Sequence, residues 1–224
     1  MTEEMRRKLD FLKTCETGNV ADAYVRLGLV QALPAYTVDS AQCRPLRMED
    51  VFVGPAVPVQ FTPSLPGQAG TGMFEVLAQA EAGSVILMAG IQQRCYMGDV
   101  LAQYAARQGI AAIAADGFVR DSKGCMAAGI PIFSRGGTTT AKGKGLYTIT
   151  AVNEPITFCN IQIYPGDIIM GDCDGIIRIP QSLFDDVYRE LLQVMECEAE
   201  YARVLQTEGD DLLLRLKAVS AKSH

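Results

Sequence analysis

The stretch SVILMAGIQQRCYMGDVLAQYAARQGIAAIAADGFVRD, residues 84–121, decides the fold. SVILMA (84–89) is a continuous apolar run of strand length, the pattern of a strand buried on both faces. After the loop GIQQRCYM, Gly98-Asp99 opens a helical segment that Gly109 closes. IAAIAAD (110–116) is a second buried strand. A strand–helix–strand unit of this kind is a right-handed crossover between parallel strands. It brings the N-terminus of the helix and the residues after Asp116 to the same end of the sheet. Open α/β sheets bind ligands at that carboxyl end.

Three kinds of group meet there. The first N–H groups of the helix, at Asp99, Val100 and Leu101, have no intrahelical acceptor and form an anion site of backbone. Arg120 adds a bidentate donor for the same anion. Asp121 and Asp99 can hold a hard divalent cation, directly or through water. Structural roles fit the same residues. Asp99 suits a helix cap or first turn, and Arg120-Asp121 suits an exposed turn pair that does little. Spacing by itself leaves both readings open.

Composition narrows the chemistry. The 224-residue chain has net charge -6, and no cluster of Lys and Arg marks a nucleic-acid surface. Its seven cysteines include no CxxC pair, which argues for reduced thiols rather than a disulfide framework or thiolate zinc site. The charged start MTEEMRRKLDFLKTC is not a signal peptide, and the longest apolar run is too short to span a bilayer. A cytoplasmic protein with no membrane partner is expected. The only histidine is His224, at the terminus. Histidine triads, metal sites and proton shuttles are therefore not expected, and any chemistry falls to carboxylates, Arg, Lys, Tyr, Cys or backbone amides.

The rest of the chain reads as one α/β domain spanning 1–224. Residues 15–28 predict a helix capped by Thr17 or Asn19 and ended by Gly28. VFVGPAVPVQF (51–61) is extended, with Pro55 and Pro58 placing it at an edge or bulge. TPSLPGQAG (62–70) reads as a loop. Residues 73–83 predict a helix, and IPIFS another short strand. LYTITAVNEPITFCNIQIYPGDIIMGDCDGIIRIP (146–180) predicts several short strands. From 182 to about 216 the chain reads as helical and long enough to pack on a neighbouring subunit, with a frayed tail after it. Asp172 and Asp174 in GDCDG lack the rest of a calcium loop and read as a turn. GTTTAKGKG (137–145) lacks phosphate-loop spacing. Lys142 and Lys144 within it read as solvated, since a Schiff-base lysine needs burial.

GDVLAQYAARQGIAAIAADGFVRD and GIPIFSRG, together with PITFCNIQIYPGDIIMGDCDGIIRIP, resemble the family of regulator of ribonuclease E activity A and 4-hydroxy-4-methyl-2-oxoglutarate aldolase. The likeness runs over 19–180. Its sharpest element is Asp99, twenty residues, then Arg120-Asp121. The resemblance implies a compact swivelling phosphohistidine-domain-like α/β fold with a central sheet, flanking helices and a C-terminal helical extension. It implies a homotrimer or a dimer of trimers.

It also implies a Mg²⁺- or Mn²⁺-dependent class II pyruvate aldolase. Such an enzyme cleaves a 4-hydroxy-2-oxo di- or tricarboxylic acid to pyruvate and a second oxo acid, and decarboxylates oxaloacetate. Carried over, Gly98, Asp99, Val100 and Leu101 bind the substrate carboxylate, Arg120 binds the pyruvyl oxygens, and Asp121 ligates the metal. Asp99 reaches the metal through water, as does a glutamate of the neighbouring subunit, Glu196, Glu198 or Glu200, with Glu198 chosen here. The alternative is a non-enzymatic regulator that binds a ribonuclease or RNA helicase. The chain departs from the family pattern at Ala89, where an acid is common, at Val57-Pro58, and in the loop IQQRCYM. Methyltransferase chemistry finds no glycine-rich cofactor loop after a first strand.

Overall fold

The structure, a computed structural model, describes residues 2–65, 72–140, 146–207 and 211–220. Two helices lead, α1 (Glu3–Leu12) and α2 (Thr17–Arg26), followed by strands β1 (Thr37–Asp39), β2 (Arg44–Pro45) and β3 (Phe52–Pro63). The crossover region holds α3 (Met73–Gln79), β4 (Val85–Ala89), β5 (Cys95–Met97), α4 (Asp99–Arg107), β6 (Ala112–Ala115) and β7 (Phe118–Val119). Then come α5 (Ser122–Ala127), β8 (Ile132–Ser134), β9 (Gly136–Gly137), β10 (Tyr147–Val152), β11 (Ile156–Phe158) and β12 (Ile161–Ile163). The chain closes with β13 (Ile168–Asp172), β14 (Gly175–Ile179), α6 (Phe184–Leu205) and α7 (Leu212–Ser220).

The main sheet has the order β1-β14-β13-β3-β4-β6-β8-β2, with β10 also on β3. Strands β3, β4, β6 and β8 are mutually parallel and the rest of the path is antiparallel. The predicted unit β4–α4–β6 is therefore parallel. Its strands are buried on both faces: Ile86, Met88, Ile113 and Ala115 face the cluster built with α3, α4 and α5. Val85, Leu87, Ala89, Ala112 and Ala114 face a second cluster with Phe52, Phe133 and the β11–β12 hairpin, enclosed by the curling, barrel-like sheet. A third cluster joins α1, α2 and α6 to β13 and β14. The flanking helices and the C-terminal helical extension are thus both present.

Strand β3 is not an edge, one of the two places its prolines had suggested; the other, a bulge, is met by the register shift in its pairing with β10, between Ile149 and Ala151 opposite Phe61 and Gln60. It pairs with β4 along one side and, along the other, first with β13 and then with β10. Pro55 ends the β13 register and Pro58 falls before the β10 register begins at Val59, so the prolines sit where the neighbour changes. Phe52, Val53, Val59 and Phe61 are buried in the same strand. Burial of each contributes about 1.5–3 kcal/mol, against a net hydrogen bond of about 1 kcal/mol lost at a proline. Burial decides the strand's place.

Other boundaries differ locally. The cap of α2 is Glu16, in a reciprocal box with Asn19, although Gly28 (φ +75°) ends the helix as expected. Helix α3 stops at Gln79, because Ala80 is already extended. The N-terminal segment forms α1, with Leu9 and Leu12 buried. The C-terminal helix divides into α6 and α7, and the predicted frayed tail is helical to Ser220 with Val219 buried. Lys142, Lys144 and His224 lie outside the described residues, as does 66–70 of the predicted loop, whose first residues Thr62 and Pro63 extend β3. No described helix is long and apolar enough to cross a membrane.

Candidate active site

Beyond the carboxyl ends of β4, β6 and β8 lies a second tier, the parallel sheet β5-β7-β9. Each of its strands follows one strand of the tier below, in the same order. Buried Asp116 ties the two tiers together where the chain passes between them. It accepts from Gln92 Nε2 at 3.0 Å, from Arg135 Nε at 2.9 Å and from the Cys159 thiol at 3.2 Å. Cys43, burial and the Asp116 charge push that thiol well above the ordinary cysteine range, so it is held as a donor.

The predicted site grows directly out of this tier. Met97 ends β5 and Gly98 follows; Val119 ends β7 and Arg120 follows. The Arg120 N–H donates to Met97 O at 3.0 Å, one more rung of the ladder. Adjacent strands lie about 4.8 Å apart, so the ladder sets Arg120 beside the start of α4. Gly98 is the N-cap, with extended backbone and no side-chain cap. The first backbone donor returned along the helix is Ala102 N–H to Gly98 O, at 3.3 Å. The N–H groups of Asp99, Val100 and Leu101 are left for a ligand. Asp99 is thus a first-turn residue, and its carboxylate has no hydrogen bond or ion pair among the described residues.

Asp121 adopts left-handed backbone (φ 56°, ψ 40°) as the N-cap of α5. Aspartate tolerates that region better than most residues, though at some cost in strain. The turn aims its carboxylate back across Gly98, where a Cβ would stand 2.7 Å from Asp121 Oδ2. Gly124 gives the same clearance to Asp99, since a Cβ there would meet Asp99 Cβ at 2.6 Å. Burial, and then the charges of Asp99 and Asp121, push the buried Cys125 thiol up to about 11.

Gly98, Asp99, Val100, Leu101, Arg120 and Asp121 all line one pocket of about 330 Å³. Arg120 and Asp121 form an exposed ion pair and also line this pocket. Arg120 Nε lies 3.2 Å from Asp121 Oδ2, and the two side chains are 47% and 49% exposed. A half-exposed pair contributes about 0–1 kcal/mol, so it is easily exchanged for a ligand.

Sequence reasoning missed Met73, Phe74 and Tyr96 in the same lining. Tyr96 and Met97 come from the noted loop, but nothing in the spacing marks Phe74. It arrives because α3 packs on α4, where its ring meets Tyr104 edge-on at 5.2 Å. Glu198 is elsewhere in this chain. It sits on α6, accepts from Asn19 Nδ2 at 2.6 Å, and lines a groove with Asp22 and Tyr201. Glu196 and Glu200 share that helix.

Residues 17–178 match the model of the RraA-like family, described as Aldolase/RraA. The chain belongs to the RraA-like family. A Halalkalibacterium halodurans protein of this kind, named "Putative 4-hydroxy-4-methyl-2-oxoglutarate aldolase", is 33% identical over 161 residues, covering 71% of this chain and 74% of that one. RraAS2 of Streptomyces coelicolor, described as an unusual member of the RNase ES inhibitor RraA protein family, superposes with a TM-score of 0.75 at 24% identity. That match covers 90% of this chain and 98% of the other. A Pseudomonas syringae pv. tomato protein superposes with a TM-score of 0.77 at 23% identity, covering 94% and 96%. The structural matches establish the RraA-like fold.

Among the described residues, two acidic places have the oxygen chemistry for a hard cation. At Asp99 and Asp121 the carboxylates come from separate elements and face one pocket. Mg²⁺ is commonly held by one or two carboxylates with several waters retained, so these residues fit it. At Asp172, Cys173 and Asp174 the ligand atoms lie within 4.8 Å of one another. There the Asp172 carboxylate already accepts from Thr17 N (2.7 Å), Thr17 Oγ1 (2.9 Å) and Asp174 N (3.0 Å). GDCDG is the β13–β14 turn, as expected.

Proposed function

We propose that this RraA-like protein is a divalent-metal-dependent class II pyruvate aldolase that cleaves a 4-hydroxy-2-oxo acid and also decarboxylates oxaloacetate. One observation carries the reading. The β5–β7 ladder sets the Arg120 guanidinium beside the uncapped amides of α4, with two carboxylates in the same pocket.

The substrate carboxylate accepts from the N–H groups of Val100 and Leu101. Arg120 donates to the pyruvyl oxygens. Asp99 takes the proton of the C4 hydroxyl as the C3–C4 bond breaks. The electron pair of that bond passes to C3 and the ketone oxygen, where Arg120 stabilises the charge. C4 leaves as a carbonyl, and a proton returned to C3 completes pyruvate. A divalent cation on Asp121 supplies, when bound, Lewis-acid stabilisation of the same oxygen. Neither a histidine nor a Schiff-base lysine is needed.

A homotrimer or dimer of trimers, with Glu198 offered to a neighbour's site through water, belongs to the same proposal. Light scattering on the eluted protein tests the assembly. Pyruvate release from oxaloacetate and from 4-hydroxy-2-oxo acids, with and without EDTA, tests the activity. Metal-dependent pyruvate is expected. Its absence from every such substrate overturns the reading in favour of a ribonuclease- or helicase-binding regulator.

A further inference from the structure

We infer that the pocket prefers, beyond the pyruvyl group of its substrate, an apolar group to a second carboxylate. This rests on the aldolase reading of the pocket. It replaces the dicarboxylic acid expected from the family resemblance.

The pocket is lined by two unlike sets of groups. Arg120, Asp99, Asp121 and the α4 amides are one set. Met73, Phe74 and the Val100 side chain are the other. Phe74 is 48% exposed and Val100 64% exposed. These side chains lie in the same cavity as the charged groups, and the Phe74 ring is held edge-on against Tyr104. A surface that leaves an aromatic ring and a valine beside an anion site gains by covering them with an apolar group.

The charge balance points the same way. Asp99 and Asp121 together balance a divalent cation. Arg120, the only cation among the described residues lining the pocket, is left to neutralise one carboxylate. Among the described residues of this chain, a second substrate carboxylate beside Phe74 and Val100 would have no partner to return its desolvation cost. The fitting class is a 4-hydroxy-2-oxo acid bearing an aryl or branched alkyl group on C4. Cleavage of 4-hydroxy-2-oxo-4-phenylbutanoate would break C3–C4 and yield pyruvate and benzaldehyde, with the C4 hydroxyl proton ending on the pyruvate methyl.

The test compares two uncleaved ligands with the same head, 2-oxo-4-phenylbutanoate and 2-oxoglutarate, by titration calorimetry on the Mg²⁺-loaded protein. A well-filled apolar contact discriminates by about tenfold or more, so the phenyl ligand is expected to bind at least about tenfold more tightly. Phe74→Arg is expected to invert the preference, and Val100→Lys to do so independently should the first variant misfold. Values of kcat/KM for 4-hydroxy-2-oxo-4-phenylbutanoate and 4-hydroxy-2-oxoglutarate should follow the same order. Tighter binding of 2-oxoglutarate, equal binding of the two, or binding of neither overturns the inference. So does a neighbouring subunit that covers Phe74 and abolishes the preference. If neither oxaloacetate nor any 4-hydroxy-2-oxo acid, the phenyl one included, releases metal-dependent pyruvate while the phenyl ligand still binds more tightly, the apolar seat stands and the aldolase reading falls.

Discussion

Among the described residues, two pairs of aspartates look alike on paper, and the structure surrounds them in opposite ways. Asp172 and Asp174 are two residues apart, with ligand atoms already gathered within 4.8 Å. Asp99 and Asp121 are far apart in the chain and come together only through the β5–β7 ladder. Yet the compact pair is the structural one. Asp172 is buried and accepts three hydrogen bonds, two of them from Thr17 at the start of α2. Among the described residues Asp99 has none, and Asp121 has only a half-exposed arginine. What separates the proposed site from the turn is unused hydrogen-bonding capacity facing open space, not the closeness of the acids.

Substitutions can break this contrast, beginning with the largest expected effect. Arg120→Ala and Asp121→Ala should each lower metal-dependent oxaloacetate turnover by about 10²–10³-fold while leaving the far-UV circular dichroism unchanged. Gly98→Ala places a Cβ 2.7 Å from Asp121 Oδ2 and 3.4 Å from Arg120 Nε. A displacement of about 1 Å at a reacting centre costs up to about 10² in rate, so kcat/KM should fall toward that range with little change in the urea midpoint. Asp172→Ala should do the reverse. Stranding the buried donors of Thr17 and Asp174 should cost about 2–3 kcal/mol of stability in urea unfolding, with pyruvate affinity intact. The smallest effect belongs to Asp174→Asn. An exposed change of this kind stays within about 0.5 kcal/mol, so calorimetric Mg²⁺ affinity should shift by no more than about twofold. Loss of Mg²⁺ binding in Asp174→Asn but not in Asp121→Asn would move the metal to the other turn.

The parallel core was legible because β4 and β6 are short, wholly apolar runs separated by one glycine-bounded helix. Nothing but two-sided burial suits them. The pocket's polar groups were legible for the same reason, since a crossover determines which end of the sheet receives the helix start. Pro55 and Pro58 misled only in suggesting an edge. A proline's missing donor shows in the sequence, whereas a change of neighbouring strand does not. Phe74 was invisible because its place depends on how α3 packs against α4, a contact between segments with no shared periodicity. Asp116 read as the end of a strand, and only the fold reveals that Gln92, Arg135 and Cys159 all bond to it.

The stacking of β5-β7-β9 on β4-β6-β8 has a further consequence. The lower tier carries the cohesion of the core, whereas the upper tier has two or three residues per strand and carries the pocket. A short ladder has few rungs to resist sliding, and a slip of one residue would turn Gly98 and Arg120 to opposite sides. The Asp116 clamp works as an index pin. It holds the upper tier in register with the lower one, so that loops of different length and composition can be hung on the same strand ends without realigning the charged groups of the pocket.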